Sequence, residues 1–504
     1  MSTPVNSIDP RSGMVIRTVT VETSPEAVDR ICLDAHRAAT VFLELGRSWR
    51  AQLLRNMSHG LEDARSEIVA TADGETALGE TRLNGELTRT CYQLELFAEA
   101  VAEGSYLEAT IDHPTDTPMG PRPDLRRMLV PVGPTGVFAA SNFPLAFSVP
   151  GGDTAAALAA GCPVVVKAHP SHPATSELCF QVLQAAAGRH GAPAGVLSLV
   201  HGEQAGVELL THPNIKAAGF TGSLNGGRAL ARIAAEREEP IPFYAEMGSL
   251  NPLIVTQTAA DERGEDIGNG LAESVLLGAG QFCTKPGLAL IPHGPGGDRL
   301  AEAVARRIDA AEPAIALDER IAANHARGSA ALSEDRGLHR ITRAGTTGTG
   351  YQLAAGAFAI AASKLSADLT QECFGPTIIL ATYHSDEELQ QVTEELPASL
   401  TATVHTGTQD TGIPTRLISA LAAKAGRIVF NGFPTGVAVT QAQHHGGPWP
   451  ATNSVHTSVG TTSIRRFLRP LAWQNAPEAV LPEELREATG SVPRRVDGVT
   501  QVSQ

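Results

Sequence analysis

Gly136-Val-Phe-Ala-Ala140, Pro163-Val-Val-Val-Lys-Ala168, Val196-Leu-Ser-Leu-Val200 and Ile215-Lys-Ala-Ala-Gly-Phe220 are four short apolar runs in 85 residues of chain. Between them lie stretches with helical spacing, Thr154 to Ala160, Thr175 to Arg189 and about Ala205 to Leu210. A strand that is apolar at every position has no face left for water. Alternation of such strands with helices therefore predicts a parallel sheet covered on both sides.

Working outward, a second alternating block begins near Asn251-Pro-Leu-Ile-Val255 and runs to about Val439. It carries strand-like Leu288-Ala-Leu-Ile291, Thr377-Ile-Ile-Leu380 and Gly426-Arg-Ile-Val-Phe430, with a helix over Arg299 to Ala311. From Ser24 to about Val101 the apolar residues recur at three and four, the period of amphipathic helices. The Pro-rich stretch Asp112-His-Pro-Thr-Asp-Thr-Pro-Met-Gly-Pro-Arg-Pro123 is too irregular for a core element and reads as an arm leaving its domain. The tail from about Ala476 reads as a surface extension, and Gly345-Thr-Thr-Gly-Thr-Gly350 as a flexible loop.

The chain has 504 residues, 42% hydrophobic and 18% charged, with 39 Lys+Arg against 54 Asp+Glu. That is a globular composition with room for several domains. A net charge of -15 without a basic stripe disfavours nucleic acid and anionic membranes as partners. The uncharged stretch Leu129 to Gly152 is interrupted by four prolines, so it reads as buried core rather than a bilayer span. Six cysteines without a CxxC pair, and an amino-terminal stretch without a basic and apolar leader pattern, fit a reducing cytoplasm.

Three side chains offer chemistry. Cys283, in Gly280-Gln-Phe-Cys-Thr-Lys-Pro-Gly287, sits in a glycine-flanked turn where backbone N–H groups favour a thiolate nucleophile, although most cysteines are small buried hydrophobes. Glu246 ends the apolar run Ile241-Pro-Phe-Tyr-Ala245, where desolvation raises a carboxyl's pKa and suits it to general-base work; a solvated strand end is the plain alternative. Asn142, in Ala140-Ser-Asn-Phe-Pro-Leu145, offers a neutral donor for a developing oxyanion, or simply caps a turn before Pro144. No GxGxxG fingerprint is present. Instead Gly222, Ser223 and Gly227 lie where a strand ends and a helix begins, a place that can receive a pyrophosphate. Lys167 closes a strand at the sheet edge where open α/β folds bind ligands.

Taken together, SNFPLAF at Asn142, VVVK at Lys167, FTGS at 220–223, EMGSLNP at Glu246, GQFC at Cys283 and QECFGP at Glu372 resemble the aldehyde dehydrogenase superfamily in order and spacing. The resemblance implies an α/β fold of two doubly wound, Rossmann-like parallel-sheet domains with a small β oligomerisation arm. The cofactor domain would span 1–111 and 130–246, the catalytic domain 247–445 and the arm 112–129 and 446–475, with 476–504 a surface extension. It also implies roles. Cys283 would attack the aldehyde while Asn142 and the Cys283 N–H hold the oxyanion, and Glu246 would activate water to hydrolyse the thioester. Glu372 would bind the nicotinamide ribose, Phe374 would pack near the nicotinamide, and Lys167 and Ser171 would hold the adenosine ribose, with Gly222, Ser223 and Gly227 at the pyrophosphate.

Two departures refine this. Pro170 stands where many NAD-preferring relatives carry Glu, which removes a grip on the 2′-hydroxyl and a repulsion of a 2′-phosphate; NADP is the expected cofactor, with NAD possible. Thr440-Gln-Ala-Gln-His-His-Gly-Gly-Pro-Trp-Pro-Ala-Thr-Asn453 replaces the family's PFGG-type loop. With the stretch from Ala72 and NFPLAFSVPGGDTA it resembles the 2-oxoglutarate semialdehyde (2,5-dioxopentanoate) dehydrogenase branch, a pattern bacterial fatty-aldehyde dehydrogenases share. An acylating, coenzyme A-dependent enzyme and a non-catalytic binding protein are the alternatives. His169, His172, His444 and His445 lack Cys or carboxylate partners at ligand spacing, so no metal is expected. A homodimer or tetramer, joined through the arm, is implied by the resemblance.

Overall fold

The computed structural model describes residues 3–343, 345, 348–408, 410, 415–488 and 492–502. Residues 1 and 2 of the amino-terminal stretch, and 346 and 347 of the glycine-threonine loop, lie outside that set.

Four helices open the chain after an amino-terminal hairpin: α1 Pro25–Glu44, α2 Gly46–Asp63, α3 Arg65–Thr76 and α4 Glu80–Glu103. The hydroxyl of Ser24 accepts from Ala27 N and Pro25 opens α1, so both orphan-donor and φ requirements of a helix start are met. The inward stripe Val28, Cys32, Ala35, Ala38 and Phe42 recurs at four, three, three and four.

The first sheet has five parallel strands in the spatial order Phe243–Glu246, Ala217–Thr221, Thr135–Phe138, Val164–Lys167 and Leu197–Val200. Its double burial is visible residue by residue. Val164 and Val166 pack with Leu54, Met57 and Leu87 of α2 and α4, whereas Val165 between them packs with Val28 and Cys32 of α1. The second sheet has seven strands between 253 and 430, parallel except for the edge strand His339–Arg340. There Leu288 and Leu290 face one core and Ala289 and Ile291 the other. The expected α/β architecture is what the chain adopts.

A third sheet forms the arm, and it differs from expectation at both ends. Its order is Leu468–Gln474, Leu125–Pro131, Thr110–Asp112, Arg494–Val496 and Val499–Gln501. The tail expected to be a surface extension thus supplies two of the five strands, and Leu481, Leu485 and Val492 are buried. Pairing with Thr110–Asp112 satisfies backbone groups that a loose tail would leave to water. The segment 446–467, expected in the arm, does not join it. It folds back over the end of the first sheet, where Met247 N donates to Ala451 O at 2.8 Å and Glu246 bridges Thr452. Among the described residues no helix is long and apolar enough to cross a membrane.

Candidate active site

The carboxyl ends of the two sheets bring Glu246, Cys283 and Asn142 together. Glu246 is the last residue of its strand and is buried. Cys283 follows a turn in which Gly278, Ala279 and Gly280 all have positive φ (56°, 61° and 66°). At Gly280 a Cβ would stand 2.3 Å from the carbonyl carbon of Gly375, so glycine here is required by a close backbone approach as well as by φ.

Several buried amides lock the Cys283 loop. Gln281 accepts from Leu317 N at 3.0 Å and donates to Ile315 O at 3.2 Å. Asn251, itself at φ 54°, donates Nδ2 to the carbonyls of Cys283 (2.8 Å) and Lys285 (3.1 Å). Asn142 donates Nδ2 to Gln281 O at 2.8 Å. An amide carries two N–H bonds, so this contact anchors Asn142 beside the loop and leaves its second hydrogen for an oxyanion.

One side chain was undervalued in the sequence. His445 places Nε2 3.0 Å from Glu246 Oε1 and 3.5 Å from the Cys283 sulfur. Its loop is pinned by His445 N donating to Thr457 Oγ1 and by Ser458 N donating to His445 O, each 2.8 Å. The Ser458 hydroxyl donates to Glu246 Oε2. The sequence appeared to lack Cys or carboxylate partners for His444-His445; the fold supplies both to His445 from 162 and 199 positions away. These three ligand atoms lie within 4.8 Å of one another, a spacing that would also accept a single divalent cation.

The electrostatics revise two expectations. Burial alone would raise Glu246, but the adjacent His445 imidazole and the Ser458 hydroxyl outweigh it and hold the carboxyl below its ordinary range. Glu246 is therefore a carboxylate at neutral pH and needs no raised pKa to accept a proton. Burial and the charges of Glu246 and Glu372 push the Cys283 thiol well up, only partly countered by Arg89. The expected thiolate is a thiol in the free chain.

Glu372 lies in the 371–377 loop, with Oε2 against Gly248, where a Cβ would stand 2.5 Å away. Burial pushes its carboxyl up to about 7. The loop is held by Lys285, whose buried Nζ donates to the carbonyls of Thr377 (2.7 Å) and Cys373 (3.2 Å). Phe374 in that loop is half-buried. Lys285 stands two residues after the nucleophile, and nothing in the sequence distinguished it from a solvated turn lysine.

The remaining expected residues lie at or just beyond the carboxyl ends of the first sheet's strands, where Gly222 N donates to Glu246 O at 3.0 Å. Lys167 ends its strand half-buried, and burial lowers its ammonium pKa. Ser171 donates its hydroxyl to Asp318 Oδ2 at 2.5 Å, and Arg320 lies 3.7 Å from the same carboxylate. Gly222 and Ser223 are exposed at the start of the helix Leu224–Ala235, where Ser223 Oγ caps Gly226 N at 3.2 Å. Gly227 is a correction: it is buried inside that helix, and a Cβ would meet Met247 Cγ at 2.6 Å. Close helix–strand packing, rather than access to a phosphate, demands glycine there.

Comparison with known proteins places the chain in a family. The pattern described as "Aldehyde dehydrogenase family" matches residues 1–449. Alpha-ketoglutaric semialdehyde dehydrogenase 2 of Azospirillum brasilense is 44% identical over 481 residues, covering 92% of this chain and 91% of that protein. Alpha-ketoglutaric semialdehyde dehydrogenase of Acinetobacter baylyi is 41% identical, covering 94% and 91%. Among solved structures, the NAD+ complex of a Bacillus cereus aldehyde dehydrogenase superposes with a TM-score of 0.79 at 20% identity, covering 94% and 93% of the two chains. Betaine aldehyde dehydrogenase of Staphylococcus aureus, in complex with NAD+, gives 0.80 at 19%, covering 94% and 93%.

Proposed function

The chain belongs to the aldehyde dehydrogenase family, whose members are oxidoreductases acting on aldehydes, and from that premise we propose that it oxidises 2,5-dioxopentanoate to 2-oxoglutarate with NADP. The carrying observation is the convergence of Cys283, His445 and Glu246 on one point.

The chemistry follows from that geometry. As the Cys283 sulfur forms a bond to the aldehyde carbon, the thiol proton passes to the Glu246 carboxylate, whose Oε1 accepts from His445 Nε2 at 3.0 Å, and leaves to solvent before the second step. Asn142 and the Cys283 N–H receive the developing oxyanion. A bound nicotinamide dinucleotide supplies the hydride acceptor. The acyl group then remains on Cys283 as a thioester. Glu246, with His445, takes a proton from water as its oxygen bonds to the acyl carbon, and the carboxylic acid and the free thiol are released.

Glu372, Phe374, Lys167, Ser171 and the Gly222–Ser223 helix start are assigned to the dinucleotide. The exposed helix start fits a pyrophosphate and the buried Glu372 carboxyl fits a ribose hydroxyl. Pro170 in place of an acid, with Lys167 nearby, supports a 2′-phosphate; the Asp318 carboxylate at Ser171 is offset by Arg320. The ratio of kcat/KM for NADP over NAD tests this, and a clear NAD preference refutes it.

We assign the hydrolytic rather than the coenzyme A-dependent outcome because Glu246 is ionised beside the thioester position. Product analysis with and without coenzyme A separates the two, and a Cys283→Ala chain that kept oxidising aldehydes would restore the non-catalytic reading. The strand Leu468–Gln474 is an edge strand of the arm, which supports assembly into a homodimer or tetramer; light scattering decides it. Six free cysteines support a cytoplasmic location.

A further inference from the structure

Helix α4 turns a polar stripe, Arg82, Glu86, Arg89 and Gln93, toward the active site at spacings of four, three and four. Such a stripe on a largely buried helix is costly unless its groups are paired. Glu86 is half paired: Oε1 accepts from Leu145 N (2.8 Å) and Ala146 N (2.9 Å), which ties α4 to the loop that carries Asn142, whereas Oε2 is buried without a hydrogen-bond partner. The two guanidinium groups also keep unmet donors. Arg82 donates Nη2 to Asn142 O at 2.7 Å, but its Nε and Nη1, and Nη1 of Arg89, are buried without hydrogen-bond partners. Gln93 Nε2 is likewise unpartnered. An unmet buried donor is destabilising, so this cluster of donors asks for an acceptor.

Their position indicates which acceptor. The Arg82 guanidinium lies over Phe143 (5.1 Å) and Phe282 (4.7 Å), and Phe282 precedes the nucleophile. Arg89 lies over Phe147 at 5.0 Å, and the Phe147 ring is 6.4 Å from that of His445. Phe143 packs edge-on against both Phe147 (5.3 Å) and Phe282 (5.2 Å). Three aromatic rings therefore form a wall from His445 to the residue before Cys283, and the two arginines stand over it. The Arg89 charge reaches both Cys283 and Glu246.

We propose that Arg82 and Arg89 form the site that binds the distal carboxylate of a short oxo-acid aldehyde while its carbonyl carbon meets Cys283. The assignment rests on the aldehyde-oxidising reading above and deepens it to a substrate class. A carboxylate there accepts charge-assisted hydrogen bonds from donors that otherwise have none. The carbon chain lies along the aromatic wall. Glu86 does not cancel the site, because burial raises its pKa and its Oε1 is already engaged.

The test is the ratio of kcat/KM for 2,5-dioxopentanoate over pentanal in the full chain, wild type against Arg89→Met, Arg89→Lys and Arg82→Met. Loss of a charged hydrogen bond predicts a fall in that ratio of roughly 100-fold for Arg89→Met, carried mainly by KM, with Arg89→Lys between. The unaltered enzyme gives a second readout: glutarate should inhibit pentanal oxidation competitively where glutaramide does not. Wild-type preference for the oxo acid that survives both arginine substitutions, or equal inhibition by glutarate and glutaramide, overturns the arginine assignment alone. Wild-type indifference between the two aldehydes refutes the substrate reading itself.

Discussion

His445 Nε2 stands 3.0 Å from Glu246 Oε1, although 199 positions separate the two residues. The same nitrogen lies 3.5 Å from the Cys283 sulfur, so one imidazole contacts both side chains. His445→Ala should therefore lower kcat by about 100-fold or more, in the range expected for a lost proton-transfer group. Because Glu246 loses its main stabilising neighbour, the acidic limb of the kcat profile should shift to higher pH in that variant. An unshifted profile would make His445 a packing residue.

Cys283 is held as a thiol by burial and by two carboxylates. Its alkylation by iodoacetamide in the free enzyme should thus be slow at pH 7 and rise steadily with pH through the range where ordinary thiols have already levelled off. A plateau below pH 8 would contradict that electrostatic picture.

Glu246→Gln should separate the two half-reactions. Thioester formation continues, because without the carboxylate the His445 Nε2 is free to accept the thiol proton, while hydrolysis is slowed by about 100-fold or more. Rapid mixing should show a burst of reduced cofactor of one equivalent per active site followed by slow turnover. Equal loss of burst and steady-state rate would make Glu246 indispensable to the first step as well.

Glu372 titrates near 7 in the fold against 4.5 for the isolated group. Its raised pKa means the folded state keeps a proton that the unfolded chain has released. Stability therefore declines as pH rises from about 4.5 to about 7 and is level above. Glu372→Gln should stabilise the free chain by on the order of 2 kcal/mol at pH 8 and little at pH 4.5, while weakening cofactor binding. Denaturant unfolding at the two pH values checks it.

Gly280→Ala should destabilise the chain strongly. The new methyl would meet the Gly375 backbone at 2.3 Å and the φ of 66° would add strain, so a loss of about 3 kcal/mol or failure to fold is expected. Retention of wild-type unfolding behaviour would exclude the tight approach of these two loops.

The linear chain determined the sheets, because Val164-Val-Val and Leu288-Ala-Leu-Ile have no polar face and must be covered on both sides. It also marked Cys283, Glu246 and Asn142, whose neighbours form local patterns. Only the tertiary structure decided what surrounds them. His445, Lys285, Arg82 and Arg89 carry no local signal, since a histidine, lysine or arginine in isolation reads as a solvated side chain. Their meaning comes from burial and from partners dozens to hundreds of residues distant. Packed neighbours also set the protonation states: His445 and Ser458 lower Glu246 against its burial, and burial raises Cys283, which no spacing along the chain encodes. The tail shows the same division: its Pro, Glu and Arg content described a surface, whereas backbone pairing with Thr110–Asp112 placed it in a sheet.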